Sequence, residues 1–389
     1  MSKKFQLVGS LLRPKELLEY KRKIEHDGDI KYPFYNDLDG YEKCEHEATK
    51  QVVQKQIEHG LDVITDGEYT RSIWHLDFLW GFEGIERSIA KQGYFFRDKG
   101  EDAKYDYETR RDVGLKITGE FGGKNHHFIS THKKLLSFAD GNITKLTIPS
   151  PSHVFGEFSW SQNIQGIKEV YPTSEALKNG FKKAYKEFIE EYVGIGGKIL
   201  QFDDCLWEMF ADDNPNSPFT GGSIEAKESA NDFANELIAL NNEIIAFSHN
   251  LGLKVWTHNC RGNYESRNMG GGSYNKIAEL FLKQQNYDRF FLEWDDERAG
   301  TLDALHVFKD RPNAEIVLGL LSSKTNTLDD EARILKMLDE AAKIIEKDRL
   351  LLSHQCGFAS CDGGNELTEA EQWAKIDQGQ KIAKQFWGI

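Results

Sequence analysis

His258 and Cys260 stand two residues apart at the end of the run Lys254-Val255-Trp256-Thr257-His258-Asn259-Cys260-Arg261-Gly262, which reads as a buried β-strand. On a strand, residues i and i+2 face the same side, so this imidazole and this thiol point into one space. Two later runs of the same kind, Arg289 to Asp296 and Leu350 to Gly357, end in further candidate ligands, Glu293 and Cys356. One imidazole, two thiolates and a carboxylate suit Zn²⁺, which takes N, S and O donors tetrahedrally. A lone His-x-Cys says little, because free Cys and hydrogen-bonded His are common in cores. The weight comes from three strand ends carrying one ligand chemistry, provided the strands are neighbours in one barrel.

Glu293 follows Phe290-Phe291-Leu292, and a carboxylate carried on so apolar a strand needs a cation or a paired base; Arg298 is the structural alternative. Cys356 is preferred as fourth ligand over Cys361, which lies in a Gly-rich loop, and over Cys205, which follows the acidic pair Asp203-Asp204. Adjacent residues on an extended chain face opposite sides, so only one of that pair enters the mouth, and Asp203 is the expected one. Glu68 is expected to point into the same mouth from an earlier strand. Two carboxylates across an opening suit a substrate ammonium group, or else general acid and base work in a hydrolase. Either Asp could instead cap a turn. Zinc held by two thiolates is a weak Lewis acid for hydrolysis but binds a third thiol well as thiolate, since a free thiol near pKa 8.5 is mostly protonated at neutral pH. The chemistry points to alkyl transfer to a thiol.

Positioning these groups takes repeated strands and helices. Phe5 to Ser10 reads as a first strand, Leu61 to Glu68 as the second, Ile143 to Phe155 as the third and Lys198 to Asp204 as the fourth. Lys254 to Gly262 is the fifth, Phe290 to Asp295 the sixth, Glu315 to Ser323 the seventh and Leu350 to Gly357 the eighth. Helical patterns lie between them, among them Glu45–His59, Asn231–Leu251 and Leu328–Lys347, and a last one runs from Thr368 to Trp387. From about residue 80 to 142 aromatic pieces, a charged stretch and Gly122-Gly123 replace any clean helix, and this reads as an inserted excursion of short antiparallel strands. The expectation is α/β: a single (β/α)8 TIM barrel over residues 1–389, with that insertion between strands two and three. The candidate residues fall at C-terminal strand ends, the catalytic face of such barrels.

The chain's 389 residues and 39% hydrophobic content allow a sizeable core. A net charge of -14 argues against nucleic acid or an anionic membrane as partner, since both need a basic surface. The expected partners are small molecules. With no apolar leader at the N-terminus and no membrane-length run, a cytoplasmic location is expected, and five Cys residues in so long a chain fit reduced thiols better than a disulfide framework.

The ordered set Val8-Gly9-Ser10, Asp66-Gly67-Glu68, Leu200-Gln201-Phe202-Asp203-Asp204, His258-Asn259-Cys260, Glu293 and Gln355-Cys356-Gly357 resembles the C-terminal catalytic barrel of cobalamin-independent methionine synthase, and most closely the short single-barrel members of that family. The resemblance implies Zn²⁺ on His258, Cys260, Glu293 and Cys356, with homocysteine as the thiol. It implies that Glu68 and Asp203 hold the amino group, and that Gly9 and Ser10 hold the carboxylate. The methyl donor would be 5-methyltetrahydrofolate or another methyl carrier. The donor side departs from the family: Lys324 stands where a His serves as proton donor, Phe155 or His153 replaces a Trp that packs on the folate ring, and the other folate-contacting segment has no counterpart. Asp203 and Lys324 are the expected catalytic groups.

Three other readings compete. A sister alkyltransferase of the epoxyalkane:coenzyme M type would use Arg13 and Lys324 to meet a sulfonate. A metallohydrolase would pair Asp203 with a zinc-bound water. A barrel with a purely structural zinc would waste a mouth rich in Glu68, Asp203, Trp74, His75 and Trp207.

Overall fold

The computed structural model describes residues 4–98, 105–161, 163–211 and 224–389, so part of the charged stretch expected near residue 100 lies outside the described residues. Short apolar runs form the strands β1 (Phe5–Gln6), β2 (Val63–Ile64), β3 (Leu146–Pro149), β4 (Ile199–Asp203), β5 (Lys254–Asn259), β6 (Arg289–Glu293), β7 (Glu315–Leu321) and β8 (Leu350–His354). Seven of them make one parallel sheet in the order β1-β8-β7-β6-β5-β4-β3. β2 pairs instead with Ile143–Thr144, the two residues that lead into β3. Such near-continuous hydrophobic strands are what a parallel sheet covered on both faces requires.

The inner face has its own core. Val8, Ile199, Trp256, Phe291, Val317 and Leu351 pack together with Val63 of β2 beside them, so β2, outside the seven-stranded sheet, borders the same cluster. Helices cover the outer face, including α1 (Tyr41–Glu58), α2 (Pro151–Trp160), α3 (Ser174–Gly194), α4 (Ile224–Asn250) and α5 (Glu369–Trp387). Their starts follow from local chemistry: Thr173 caps α3 by accepting from Ala176 N, and Thr368 with Glu371 forms a reciprocal capping box on α5.

Three expectations are corrected. The third strand does not reach Phe155: Pro149 ends β3, Ser150 accepts from His153 N as an N-cap, and Pro151 opens α2. Proline at the first helical turn loses no intrahelical bond, so Ser-Pro here starts a helix rather than merely stopping a strand. The excursion after residue 80 does contain antiparallel pairs, Glu83–Ser88 with Gly114–Gly122 and Phe95–Arg97 with Tyr105–Glu108, but also a helix, His127–Phe138. The helix expected over Leu328–Lys347 is shorter, Glu331–Ala341, because Asp330 caps it with bonds from Ala332 N and Arg333 N.

Candidate functional site at the strand ends

Parallel strands deliver their last residues to one end of the sheet, and register does the rest: Asp203 of β4 lies beside His258 of β5. His258, Glu293 and Cys356 present one nitrogen, one carboxylate oxygen and one sulfur within 4.8 Å of one another. Cys260 joins through Cys356, sulfur to sulfur at 3.9 Å. All four side chains are buried. Glu293 Oε1 accepts from Arg261 N at 3.1 Å and lies 3.6 Å from His258 Nε2, while its Oε2 is buried with no partner. Arg298, the alternative partner for Glu293, gives its bonds to Asp296 and to the Gly270 carbonyl.

The electrostatics are those of a cation site. Burial works against the ionised Glu293, but His258, Lys324 and Arg261 outweigh it and hold its carboxyl below the ordinary value. The neighbouring Cys205 thiol and burial push the Cys260 thiol well above its usual range, and Cys260 with burial does the same to Cys356. Deprotonating two buried, adjoining thiols takes a positive charge bound between them.

The carboxylates expected at the mouth sit next to this cluster. Gly67 and Glu68 both have left-handed backbone, φ +66° and +61°. A non-glycine residue there is strained, and here hydrogen bonds hold it: Arg13 Nη2 and Arg71 N both donate to the Glu68 carbonyl, at 2.7 and 3.0 Å. The turn aims Glu68 inward, where Thr147 Oγ1 donates to its Oε1 at 2.7 Å. Asp203 Oδ1 accepts from Gln201 Nε2 at 2.7 Å and lies 3.6 Å from His258 Nδ1. Asp204 points the other way, accepting from Ser150, Ser152, Leu206 N and the Trp207 indole. A small void of about 20 Å³ is bounded by Ser10, Glu68, Asp203, His258, Cys260 and Cys356. Gly9 lies against this wall, since a Cβ on it would meet Glu68 Oε1 at 3.0 Å.

Beneath the mouth Lys145 is fully buried, its ammonium donating to Gln201 Oε1 and the Leu7 carbonyl, each at 2.6 Å, and lying over the Phe291 ring. Burial lowers its pKa to about 7 although Asp203 and Glu68 pull it up. Gln201 thus links a buried lysine to a mouth carboxylate.

A larger cavity of about 160 Å³ shares Trp74, Cys205, Cys260 and Ser360 with that void. Its walls include Tyr94, Phe96, Leu206, Met209 and Tyr264, with His75, His153 and Glu157 among its ionisable groups. Sequence reasoning missed Cys205 as a neighbour of Cys260 and missed the His153-Glu157 pair altogether. The signal was available in the i, i+4 spacing of the latter, once Ser150-Pro151 is read as a helix start. His153 lines the cavity; Phe155 does not and packs instead towards Phe233. Trp207 is buried against Asp204 rather than facing the mouth. Lys324 is not brought to either space: its Nζ bonds the Gly262 carbonyl at 2.8 Å and Asn268 Oδ1, and it borders a separate cleft with Asp295, Asp296 and Arg298.

This fold is shared by solved structures described as B12-independent methionine synthases. A Listeria monocytogenes protein provisionally assigned as a vitamin-B12-independent methionine synthase aligns over 100% of this chain and 98% of its own, with TM-score 0.68 and 28% identity. A B12-independent methionine synthase from Shewanella sp. W3-18-1, solved in complex with selenomethionine, covers 100% and 98% with TM-score 0.69 at 18% identity, a likeness of fold. The chain belongs to the same family as YxjH and YxjG of Bacillus subtilis (strain 168), both described as uncharacterized proteins: it is 35% and 33% identical to them, over 98% of this chain and 93% of each relative. No protein-family model matches. Among the described residues no helix is long and apolar enough to cross a membrane.

Proposed function

We propose that this chain is a cytoplasmic, zinc-dependent methyltransferase that methylates the thiol of homocysteine to give methionine, built as a single (β/α)8 barrel with residues from about 80 to 142 inserted. The barrel reading is supported by the inner cluster with Val63 and by the links between the first two strand paths, where Thr65 Oγ1 donates to the Gly9 carbonyl and Leu11 N to the Gly67 carbonyl. The observation that carries the function is the meeting of Cys260, Cys356 and His258 with two carboxylates, Glu68 and Asp203, around one small void, with Glu293 grouped with His258 and Cys356.

Zinc fits this donor set: two adjoining thiols, one imidazole and a carboxylate with an unpartnered buried oxygen. When bound by His258, Cys260, Glu293 and Cys356, it would supply the positive charge that keeps a third, substrate thiol ionised at neutral pH. The chain's own groups do the rest. Glu68 and Asp203 would hold the substrate ammonium, and Gly9 with Ser10 its carboxylate. Lys145 and Gln201 hold Asp203 in its orientation from below. The apolar cavity beyond Cys260 would take the body of the methyl donor, 5-methyltetrahydrofolate or another carrier, and keep water from the transferring group. Lys324 contributes through its charge on Glu293, since its ammonium is already engaged.

The coenzyme M type of reading loses its sulfonate partners. Arg13 spends its guanidinium on the carbonyls of Ala359, Cys361, Glu68 and Arg71, and Lys324 borders another cleft. The deciding experiment is methionine formation by zinc-loaded protein from homocysteine, with methyltetrahydrofolate and methylcobalamin in separate tubes. Methionine in either tube supports the proposal. No methionine in either, with zinc bound at the cysteine cluster, rejects homocysteine methylation by these donors.

A further inference from the structure

Across the larger cavity from the cysteines lies a second group of ligand atoms. His75, His153 and Glu157 each offer one atom, all within 4.8 Å of one another. His75 immediately precedes the short helix Leu76–Trp80, and His153 and Glu157 sit four residues apart on α2, so both point from one helix face. Glu157 Oε2 lies 3.3 Å from His75 Nε2 and 3.9 Å from His153 Nε2. Neighbouring ligands around a cation with bonds of about 2.1 Å stand roughly 3 to 4 Å apart, the spacing seen here. The indole of Trp74 packs on both imidazoles and fixes their planes.

A buried His75–Glu157 ion pair explains only part of this. Tyr94 donates to Glu157 Oε1, yet Oε2 makes no hydrogen bond although it is buried, and the Nδ1 atoms of both imidazoles are buried without partners. His153 adds a second ring aimed at the same oxygen. Two imidazoles and a carboxylate converging on one point are a ligand set rather than a simple salt bridge.

We propose that His75, His153 and Glu157 form a second metal site, distinct from the cysteine cluster, which binds a first-row divalent cation and leaves coordination positions open to the cavity. Two nitrogens and one oxygen without thiolate select a borderline cation such as Fe²⁺, Co²⁺ or Zn²⁺ over Ca²⁺ or Cu⁺. Because the three residues line the cavity wall, a cavity ligand with an oxygen or nitrogen donor can complete the coordination. The inference does not depend on the thiol-methylation reading.

Titration of the intact, metal-stripped chain with Co²⁺ separates the two sites. The cysteine cluster gives sulfur-to-cobalt charge transfer in the near ultraviolet, and an N,N,O site gives only weak visible bands. Two equivalents are expected in the parent protein. Glu157→Gln and His153→Ala should each lose the equivalent without charge transfer and keep the other, whose band also reports an intact fold. A parent protein whose every bound equivalent carries the charge-transfer band, or the same two equivalents in both variants, overturns the proposal. An equivalent without charge transfer that vanishes in Glu157→Gln, in a protein showing no charge transfer at all, upholds this site and rejects the zinc–thiol reading.

Discussion

Asp203 and Asp204 are neighbours in sequence, and exchanging each for Asn should give opposite phenotypes. Asp204 is fully buried and accepts hydrogen bonds from Ser150 at 2.7 Å, Leu206 N and the Trp207 indole at 3.0 Å, and Ser152. Asparagine keeps one oxygen and turns an NH₂ group towards donors, so about two charge-assisted bonds are lost and their donors stranded. At about 1.5–3 kcal/mol for each such bond, Asp204→Asn should cost on the order of 3–6 kcal/mol of stability. Asp203 accepts a bond from Gln201 that an amide oxygen can still take, so Asp203→Asn should cost less than about 1 kcal/mol. What Asp203→Asn removes is the charge offered to a substrate ammonium, about 1.5–3 kcal/mol or roughly 10- to 150-fold in homocysteine affinity. Urea denaturation and calorimetric titration of the zinc-loaded protein read the two effects. Equal denaturation midpoints, or a large affinity loss confined to Asp204→Asn, would refute the division between a binding and a structural carboxylate.

Cys260→Ser and Cys356→Ser should each lose zinc and activity while circular dichroism stays that of the parent; full zinc content by elemental analysis in either variant argues against the ligand set. Gly357→Ala would bring a Cβ to 2.0 Å from Ser10 Oγ, so it should cost about 1–3 kcal/mol and weaken thiol-substrate binding, measured by melting and by KM. His126 is buried beside the Phe78, Phe82 and Phe188 rings, and burial lowers its pKa from 6.5 to about 4. The unfolded chain therefore binds more protons between those values, and stability from this group falls as pH drops from 6.5 to 4, by on the order of 3 kcal/mol. A His126→Gln variant should show a correspondingly flatter denaturation midpoint over that range, and an unchanged slope would contradict the assignment.

The strands that carry candidate ligands were legible because each is a short apolar run ending in one polar residue of distinct chemistry. Lys254–Asn259, Arg289–Glu293 and Leu350–His354 need only the period of two and a parallel sheet to bring their ends together. Legibility stopped where position depends on a cap or on distant loops. Ser150-Pro151 starts a helix as readily as it stops a strand, and running the strand on to Phe155 hid the helix face that carries His153 and Glu157. Cys205 was set aside because its neighbours in sequence are acids, whereas its neighbour in space is Cys260. Lys324 follows the seventh strand closely, but its reach is settled by Asn268 and the Gly262 carbonyl, from a segment more than fifty residues earlier.

The shared wall of Trp74, Cys205, Cys260 and Ser360 bears on how such a protein can diversify. On one side the acceptor's contacts come from strand ends, which cannot change without disturbing the sheet. On the other, Tyr94, Thr109, Met209 and Met269 come from hairpin, loop and short-helix segments that tolerate substitution. On the proposed reading, drift in those segments would retune which carrier hands over its alkyl group while the receiving chemistry is inherited intact.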